Sequence, residues 1–252
     1  MTAETRQPAR GTRIPDAADE QETARRVRLL FERVVPRYDL LNHLLSFQLD
    51  RWWRKRTAQR LRETLRRPGA LALDLCCGTG DLLRALLAEG ASAVVGADFC
   101  HPMLVAARRK TARHPSVRLV EADALQLPFP AGLFDAVTSA FGFRNLANYR
   151  CGLAEMFRVL RPGGVAAILE LSQPRHSLLA RLYGFYSRRI LPRVGGLVSG
   201  CAEAYAYLPQ SVRNFLTAEQ LASEMAQAGF RPVDFERLTG GIVALHLGWK
   251  PA

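Results

Sequence analysis

Lysine is almost missing from this 252-residue chain: only Lys55, Lys110 and Lys250 occur, so its 35 basic residues are nearly all arginine. Long apolar runs are missing too. None approaches the roughly 18 consecutive apolar residues of a spanning helix, so no membrane span is expected. Five cysteines, with Cys76 and Cys77 adjacent, make no disulfide framework and fit a reducing cytoplasm. The first fifteen residues lack the apolar core of a secretory signal; Arg6, Arg10 and Arg13 leave a mitochondrial leader as an alternative, against which Glu4 counts. No zinc-ligand spacing and no internal repeat occur, so no metal is expected. Acidic residues are fewer than basic ones, 23 against 35, for a net charge of +12. Alone, that sum points to nucleic acid or an anionic membrane.

The distribution of charge narrows the choice. Residues 1–70 hold 16 basic and 9 acidic groups, residues 71–174 hold 10 and 9, and residues 175–252 hold 9 and 5. The middle of the chain is near neutral and its flanks are basic. A nucleic-acid enzyme would need its basic residues along the catalytic core, so no nucleic-acid partner is expected.

Residues 1–20 are polar and aperiodic, as in a disordered tail. Residues 21–69 read as an N-terminal helical region. Val27, Leu30, Phe31 and Val34 share one helix face up to Pro36, a short helix follows through Tyr38–Asn42, and a longer one covers about 48–66. From residue 70 the pattern changes. Apolar runs at Leu71–Leu75, Ala93–Ala97, Val117–Glu121, Leu133–Ala140 and Val165–Leu171 alternate with helical stretches. That is the pattern of an α/β, doubly wound, mostly parallel sheet covered on both faces. The domain is expected to span 70–252, with a helical insertion after the fifth strand at about 172–212. Thr217-Ala218-Glu219-Gln220 has the form of a capping box. Two last strands, about 231–238 and 241–249, meet at a hairpin-like turn at Thr239-Gly240-Gly241.

The first strand runs into Asp74-Leu75-Cys76-Cys77-Gly78-Thr79-Gly80-Asp81. Gly78 and Gly80 permit a tight turn and close approach of a ligand to bare backbone. A dinucleotide fingerprint would need a third glycine where Leu83 stands, and no Lys-Ser/Thr follows to make a phosphate-binding loop. Instead, Asp74 and Asp81 flank the glycines. Carboxylates repel pyrophosphate but suit a cation, so the loop fits S-adenosylmethionine, with its ammonium and sulfonium. Asp98 at the end of the second strand can accept two ribose hydroxyls, and Asp123, beside Ala124, follows the third strand. Three strand ends thus bring acids to one sheet edge. Cys76 and Cys77 read as packing residues and not ligands, because neighbours on a strand point oppositely and cannot chelate one metal together.

At these residues the sequence resembles the ubiquinone/menaquinone biosynthesis C-methyltransferases, over roughly residues 25–250. The double-cysteine loop, Tyr38-Asp39-Leu40-Leu41-Asn42 with Leu45-Ser46 and Trp53, and Phe141-Gly142-Phe143-Arg144-Asn145 are similar to family segments. So are Arg158–Gly164 with Glu170-Leu171-Ser172, Tyr207–Ser211, and Leu238–Ile242. The chain departs from the family at Asp50, where many members have histidine, and at Ala140, where some have serine. The resemblance implies a class I S-adenosylmethionine-dependent, Rossmann-like methyltransferase acting on a ring carbon of a polyprenylated hydroquinone, with demethylmenaquinol the leading substrate. It places Thr79, Asp98, Asp123 and Ala124 on the cofactor.

Carbon methylation needs a phenolate that drives electron density onto the neighbouring ring carbon. Arg144 is the expected catalytic residue, stabilising that oxygen directly or through a water, with Asn145 orienting it. Tyr38 and Asn42, with His43, are expected on the substrate side, and His246 to be structural. No covalent nucleophile is needed: no cysteine follows a proline, and the Pro-Pro-aromatic motif of amino-methylating nucleic-acid enzymes is missing. Within the insertion, Leu178, Leu179, Leu182, Tyr183, Phe185, Tyr186 and Ile190 form an apolar face. Arg175, Arg181, Arg188, Arg189 and Arg193 flank it, as suits peripheral attachment to an anionic membrane from the cytoplasmic side. A lid or a homodimer helix is the alternative for that face. Other readings stay open for the chain: the ubiquinone-pathway methoxybenzoquinol as substrate, a different small-molecule or RNA methyltransferase, or a non-catalytic subunit of a quinone-synthesis complex.

Overall fold

Runs of β-branched and leucine residues between glycine and proline turns become seven strands. The computed structural model describes residues 11–14, 17–174, 177–186, 189 and 202–252. The strands are β1 (Leu71–Leu75), β2 (Ala93–Asp98), β3 (Val117–Glu121), β4 (Phe134–Ala140), β5 (Leu160–Leu171), β6 (Val233–Leu238) and β7 (Val243–Trp249). They form one sheet in the order β3-β2-β1-β4-β5-β7-β6. β1 to β5 pair in parallel, and β7 lies antiparallel between β5 and β6. Central parallel strands are buried on both faces, which explains their unbroken apolar sequences. The strand order reverses between β1 and β4, and a crevice opens there at the carboxyl ends of an α/β sheet.

Helices α5 (Asp81–Ala88), α6 (His101–Thr111), α7 (Tyr149–Val159) and α10 (Ala218–Gln227) cover the sheet. The expected capping box is formed at the start of α10, with Gln220 N donating to Thr217 Oγ1 and Thr217 N to Gln220 Oε1. On one face Leu73, Phe134, Leu153, Met156 and Phe230 share a core; on the other, Leu83, Leu86 and Val165 pack with Trp53, Leu61 and Leu65 of the N-terminal helices. That region is thus docked on the sheet.

Its helices are α1 (Glu20–Val34), α2 (Tyr38–Leu45), α3 (Leu49–Arg60) and α4 (Arg62–Leu65). The helix expected over 48–66 is broken at Leu61, whose N–H bonds to Ala58 O in a tightened turn. Leu61 and Leu65, four residues apart, are both buried across the break. Part of the expected disordered tail is packed: Thr12 is buried, and its N–H donates to Leu146 O at 2.8 Å. Gly11 is required there, because a Cβ would lie 1.9 Å from Ala147 O. In the insertion, α8 (Ser177–Phe185) and α9 (Ala202–Asn214) are described. Arg175, Arg188, Ile190 and Arg193 lie outside the described residues, as do the side chains of Leu178 and Leu179. No described helix is long and apolar enough to cross a membrane.

Candidate active site

The crevice begins where β1 ends. Gly78 and Gly80 take φ values of 54° and 88°, a left-handed backbone that glycine adopts at little cost. This turn aims Gly78 N at Asp98 Oδ2, 2.8 Å away, while Cys100 N donates to Asp98 Oδ1 at 2.9 Å. Both oxygens are therefore fixed in direction. Burial pushes the Asp98 carboxyl up to about 6, against the opposing pull of those N–H groups. Gly78, Asp98, Asp123, Ala124 and Asn145 line a narrow cleft of about 70 Å³. A Cβ built on Gly78 meets no atom within 4 Å, so the backbone there is bare toward open space. Asp123 Oδ1 accepts from Leu125 N, which holds the loop after β3.

Asp74, Thr79 and Gly80 do not line the cleft. Asp74 lies beneath it, accepting from Thr138 Oγ1 at 2.9 Å, with its Oδ2 sealed and unpartnered. Burial pushes its carboxyl up to about 7. Thr79 turns away to donate to Asp39 Oδ1 at 2.5 Å. Gly80 lets α5 approach α6, since a Cβ would press on Ala107 and Leu83 at 3.3 Å.

Beside the cleft lies an apolar cavity of about 380 Å³. Phe31, Tyr38 and Phe141 line both spaces and form the wall between them. Tyr38 and Asn42, the expected substrate-side residues, line the cavity, together with Arg144. Burial raises the Tyr38 phenol above its ordinary value. Arg144 is 5% exposed and stands against Glu170 at 1%. Its Nη1 donates to Glu170 Oε1 at 2.9 Å and to the Phe141 carbonyl, and its backbone N donates to Glu170 Oε2 at 3.1 Å. Its Nε donates to Ser211 Oγ at 3.3 Å. Burial works to depress the guanidinium, but the Glu170 carboxylate together with Tyr207 and Tyr38 raises it above its ordinary value, so Arg144 stays charged. Asn145, on the cleft side, accepts from Tyr207 OH at 3.0 Å.

A second charged network joins the helical cap to the glycine turn. Lys110 Nζ lies 2.7 Å from both Asp39 Oδ2 and Asp81 Oδ1, and donates to Thr79 Oγ1 at 2.9 Å. His43 Nδ1 lies 2.8 Å from Asp50 Oδ2, and its Nε2 lies 3.7 Å from Asp81. The ligand atoms of His43, Asp50 and Asp81 lie within 4.8 Å of one another, a spacing that would suit a cation. Arg54 and Lys110 already hold the two carboxylates, so the cluster is a charge network. Sequence reasoning nominated neither Glu170 nor the Asp50, Arg54 and Lys110 groups. The Asp50 to Arg54 spacing of four residues within a helix was the available signal.

Burial raises the Cys76 and Cys77 thiols well above their ordinary value, so neither is a ready nucleophile. His246 is buried and donates from Nε2 to Ala218 O at 2.8 Å. Burial lowers it to about 4, consistent with a neutral side chain in the fold.

The fold is that of the class I S-adenosylmethionine-dependent methyltransferases. A methyltransferase of Thermotoga maritima, described as a possible histamine N-methyltransferase, superposes with a TM-score of 0.60 at 18% identity, covering 89% of this chain and 99% of that one. Phosphoethanolamine N-methyltransferase 2 of Haemonchus contortus, solved with S-adenosylhomocysteine, superposes with a TM-score of 0.55 at 17% identity, over 73% and 49%. The chain belongs to the ubiE/COQ5 methyltransferase family, whose model matches residues 18–250. It is 50% identical over 224 residues to the demethylmenaquinone methyltransferase of Thermus thermophilus, covering 88% of this chain and all of that one. It is 44% identical over 252 residues to that of Deinococcus radiodurans, covering 99% and 100%.

Proposed function

We propose that this methyltransferase converts demethylmenaquinol to menaquinol, the C-methylation step of menaquinone biosynthesis. The observation that carries this reading is the pairing of a strand-end cleft that carries two carboxylates, Asp98 and Asp123, with a larger apolar cavity across one aromatic wall. The cleft residues fit S-adenosylmethionine: Asp98 presents a directed carboxylate, Gly78 a bare backbone and Ala124 a small apolar surface. When bound, that group supplies an electrophilic methyl on sulfur. Gly78, Asp98, Asp123 and Ala124 would hold it, and Asp74 and Thr79 support the turn from behind.

The cavity is large enough for a fused aromatic ring and the start of a prenyl tail. Arg144 faces it as a charged donor fixed by Glu170, Ser211 and the Phe141 carbonyl. A guanidinium already held in place stabilises a phenolate oxygen without reorganising as charge develops. Tyr38 and Asn42 present polar atoms to the same space, and its apolar walls exclude water that would compete for those donors. Asn145, one residue after Arg144, faces the cleft and sets the approach between the two sites.

The lipid substrate is taken from an anionic membrane surface at the corner between α2 and α3. Leu40, Leu44, Phe47 and Trp52 are exposed there, with Leu182 and Phe185 of α8. Phe47, 75% exposed, sits at the apex of a turn in which it and Gln48 both adopt left-handed φ values, 54° and 64°. It also lines the cavity, so the apolar face is continuous with the proposed ring site. Arg51, Lys55 and Arg181 are exposed on the same elements, and Asp50, the only acid between Asp39 and Glu63, is buried. Apolar groups ringed by cations suit an anionic interface.

Purified enzyme is to be assayed with S-adenosylmethionine and, side by side, demethylmenaquinol and a polyprenyl methoxybenzoquinol. Faster methylation of the naphthoquinol is the expected outcome. Turnover of the benzoquinol alone, or of neither, would overturn the reading.

A further inference from the structure

Arg144 is one of two buried guanidiniums on the apolar cavity. The other is Arg54 of α3, 8% exposed, which lines the same space together with Asp50. Arg54 Nη1 donates to Asp50 Oδ2 at 2.5 Å, and Asp50 Oδ1 accepts from Ser46 Oγ at 2.7 Å. Burial works to raise the Asp50 carboxyl, but the Ser46 hydrogen bond, the Arg54 charge and His43 together hold it below its ordinary value. The pair is therefore ionised on both sides.

The two guanidiniums converge on one residue. Arg144 bonds to the Phe141 carbonyl, and Arg54 lies over the Phe141 ring with its Cζ 5.0 Å from the centroid. Phe141 itself takes a left-handed φ of 61° at the end of β4, in the wall between cavity and cleft. A guanidinium has five N–H donors, and among the described residues Arg54 spends only one on a hydrogen bond, to Asp50. Its other nitrogens are not sealed in the packing. Those N–H groups are open to a ligand that fills the cavity, where a charge-assisted hydrogen bond is stronger than a neutral one.

We propose that Arg54, held by Asp50, is a second oxygen-binding site: it takes the ring oxygen para to the one that faces Arg144. This rests on the reading of the cavity as a hydroquinone site, and it adds what that reading lacks, a hold on the second ring oxygen. Arg144 belongs to the sheet and Arg54 to the helical cap. A 1,4-dihydroxy ring held at both ends spans the two, so its oxygen-to-oxygen axis is fixed between sheet and cap. The cavity is thereby specific for para-dihydroxy rings over simple phenols.

The test uses the full chain, S-adenosylmethionine and two short-tailed acceptors: a naphthohydroquinol, and the 1-naphthol analogue that lacks only the distant hydroxyl. The readout is the ratio of kcat/KM for the two. In Arg54→Gln the ratio is expected to fall roughly ten- to hundredfold, through loss of the hydroquinol rate, as for removal of a charged hydrogen bond. Arg54→Lys, which keeps the charge but not the fork, is expected to fall between. A purely structural role would lower both acceptors in parallel, and that result would overturn the proposal, as would an unchanged ratio. If neither variant folds, equilibrium binding to the unmutated enzyme decides: tighter hydroquinol than naphthol supports the proposal, and equal affinity overturns it. Failure of the unmutated enzyme to methylate the hydroquinol would instead strike the parent reading.

Discussion

Arg144 differs from the exposed arginines of this chain in what holds it: a buried carboxylate, a hydroxyl and a carbonyl fix its guanidinium at the edge of an apolar cavity. Removing a preorganised donor to developing charge costs roughly 10²–10³ in rate. Arg144→Lys is therefore expected to lose about that much kcat with an unchanged Kd for S-adenosylmethionine; equal turnover would exclude it from the chemistry. Asp98 sets a pH dependence. Burial pushes its carboxyl up to about 6, so above that pH it is ionised and can accept the two ribose hydroxyls of the proposed cofactor, and below it protonation removes one acceptor. Affinity for S-adenosylmethionine is expected to weaken as pH falls through 6, by at most about tenfold per unit. Titration calorimetry at several pH values checks this, with Asp98→Asn expected to be weak and flat across the range.

The helical cap is latched to the glycine turn by a charged cluster with Lys110 at its centre. Lys110 of α6 reaches Asp39 of α2, Thr79 of the turn and Asp81 of α5. Lys110→Met is expected to raise hydrogen exchange across Tyr38–Leu45 and to weaken cofactor binding, while the exchange of β1 and β4 stays slow; uniform exchange changes would contradict the latch. What the sequence revealed at this scale follows from range. The parallel strands, the glycine turn and the capping box at Thr217 are local patterns and could be read directly. The Arg144 to Glu170 pair could not, because 26 residues separate them and only the adjacency of β4 and β5 brings them together. The break at Leu61 was hidden because the apolar spacing is the same for one helix or two. Asp74 was read as a cofactor contact from its place in the loop, and Thr79 from the family resemblance. Their side chains instead turn into the packing, a direction that spacing does not encode.

At the scale of the whole molecule, the net charge of +12 first suggested nucleic acid or membrane, and the fold gives it a direction. The near-neutral sheet carries the cleft, and the basic N-terminal helices carry the exposed apolar corner. Leu40→Glu with Leu44→Glu, on the exposed face of α2 and outside the cavity lining, is expected to weaken binding to anionic vesicles roughly tenfold or more. Turnover of a short-tailed, water-soluble quinol should persist. Flotation with anionic and neutral vesicles checks this; equal flotation of variant and parent, or a dimer formed through this face without vesicle binding, would contradict it. In the proposed reaction a ring carbon, presented by a cavity that stabilises phenolate, receives the methyl group. A single-turnover reaction of demethylmenaquinol with methyl-labelled S-adenosylmethionine, followed by ¹³C NMR of the product, tests it most directly. A carbon-bound methyl on the quinone ring is the expected product; a methyl ether on oxygen, or no transfer, would rule out ring-carbon methylation.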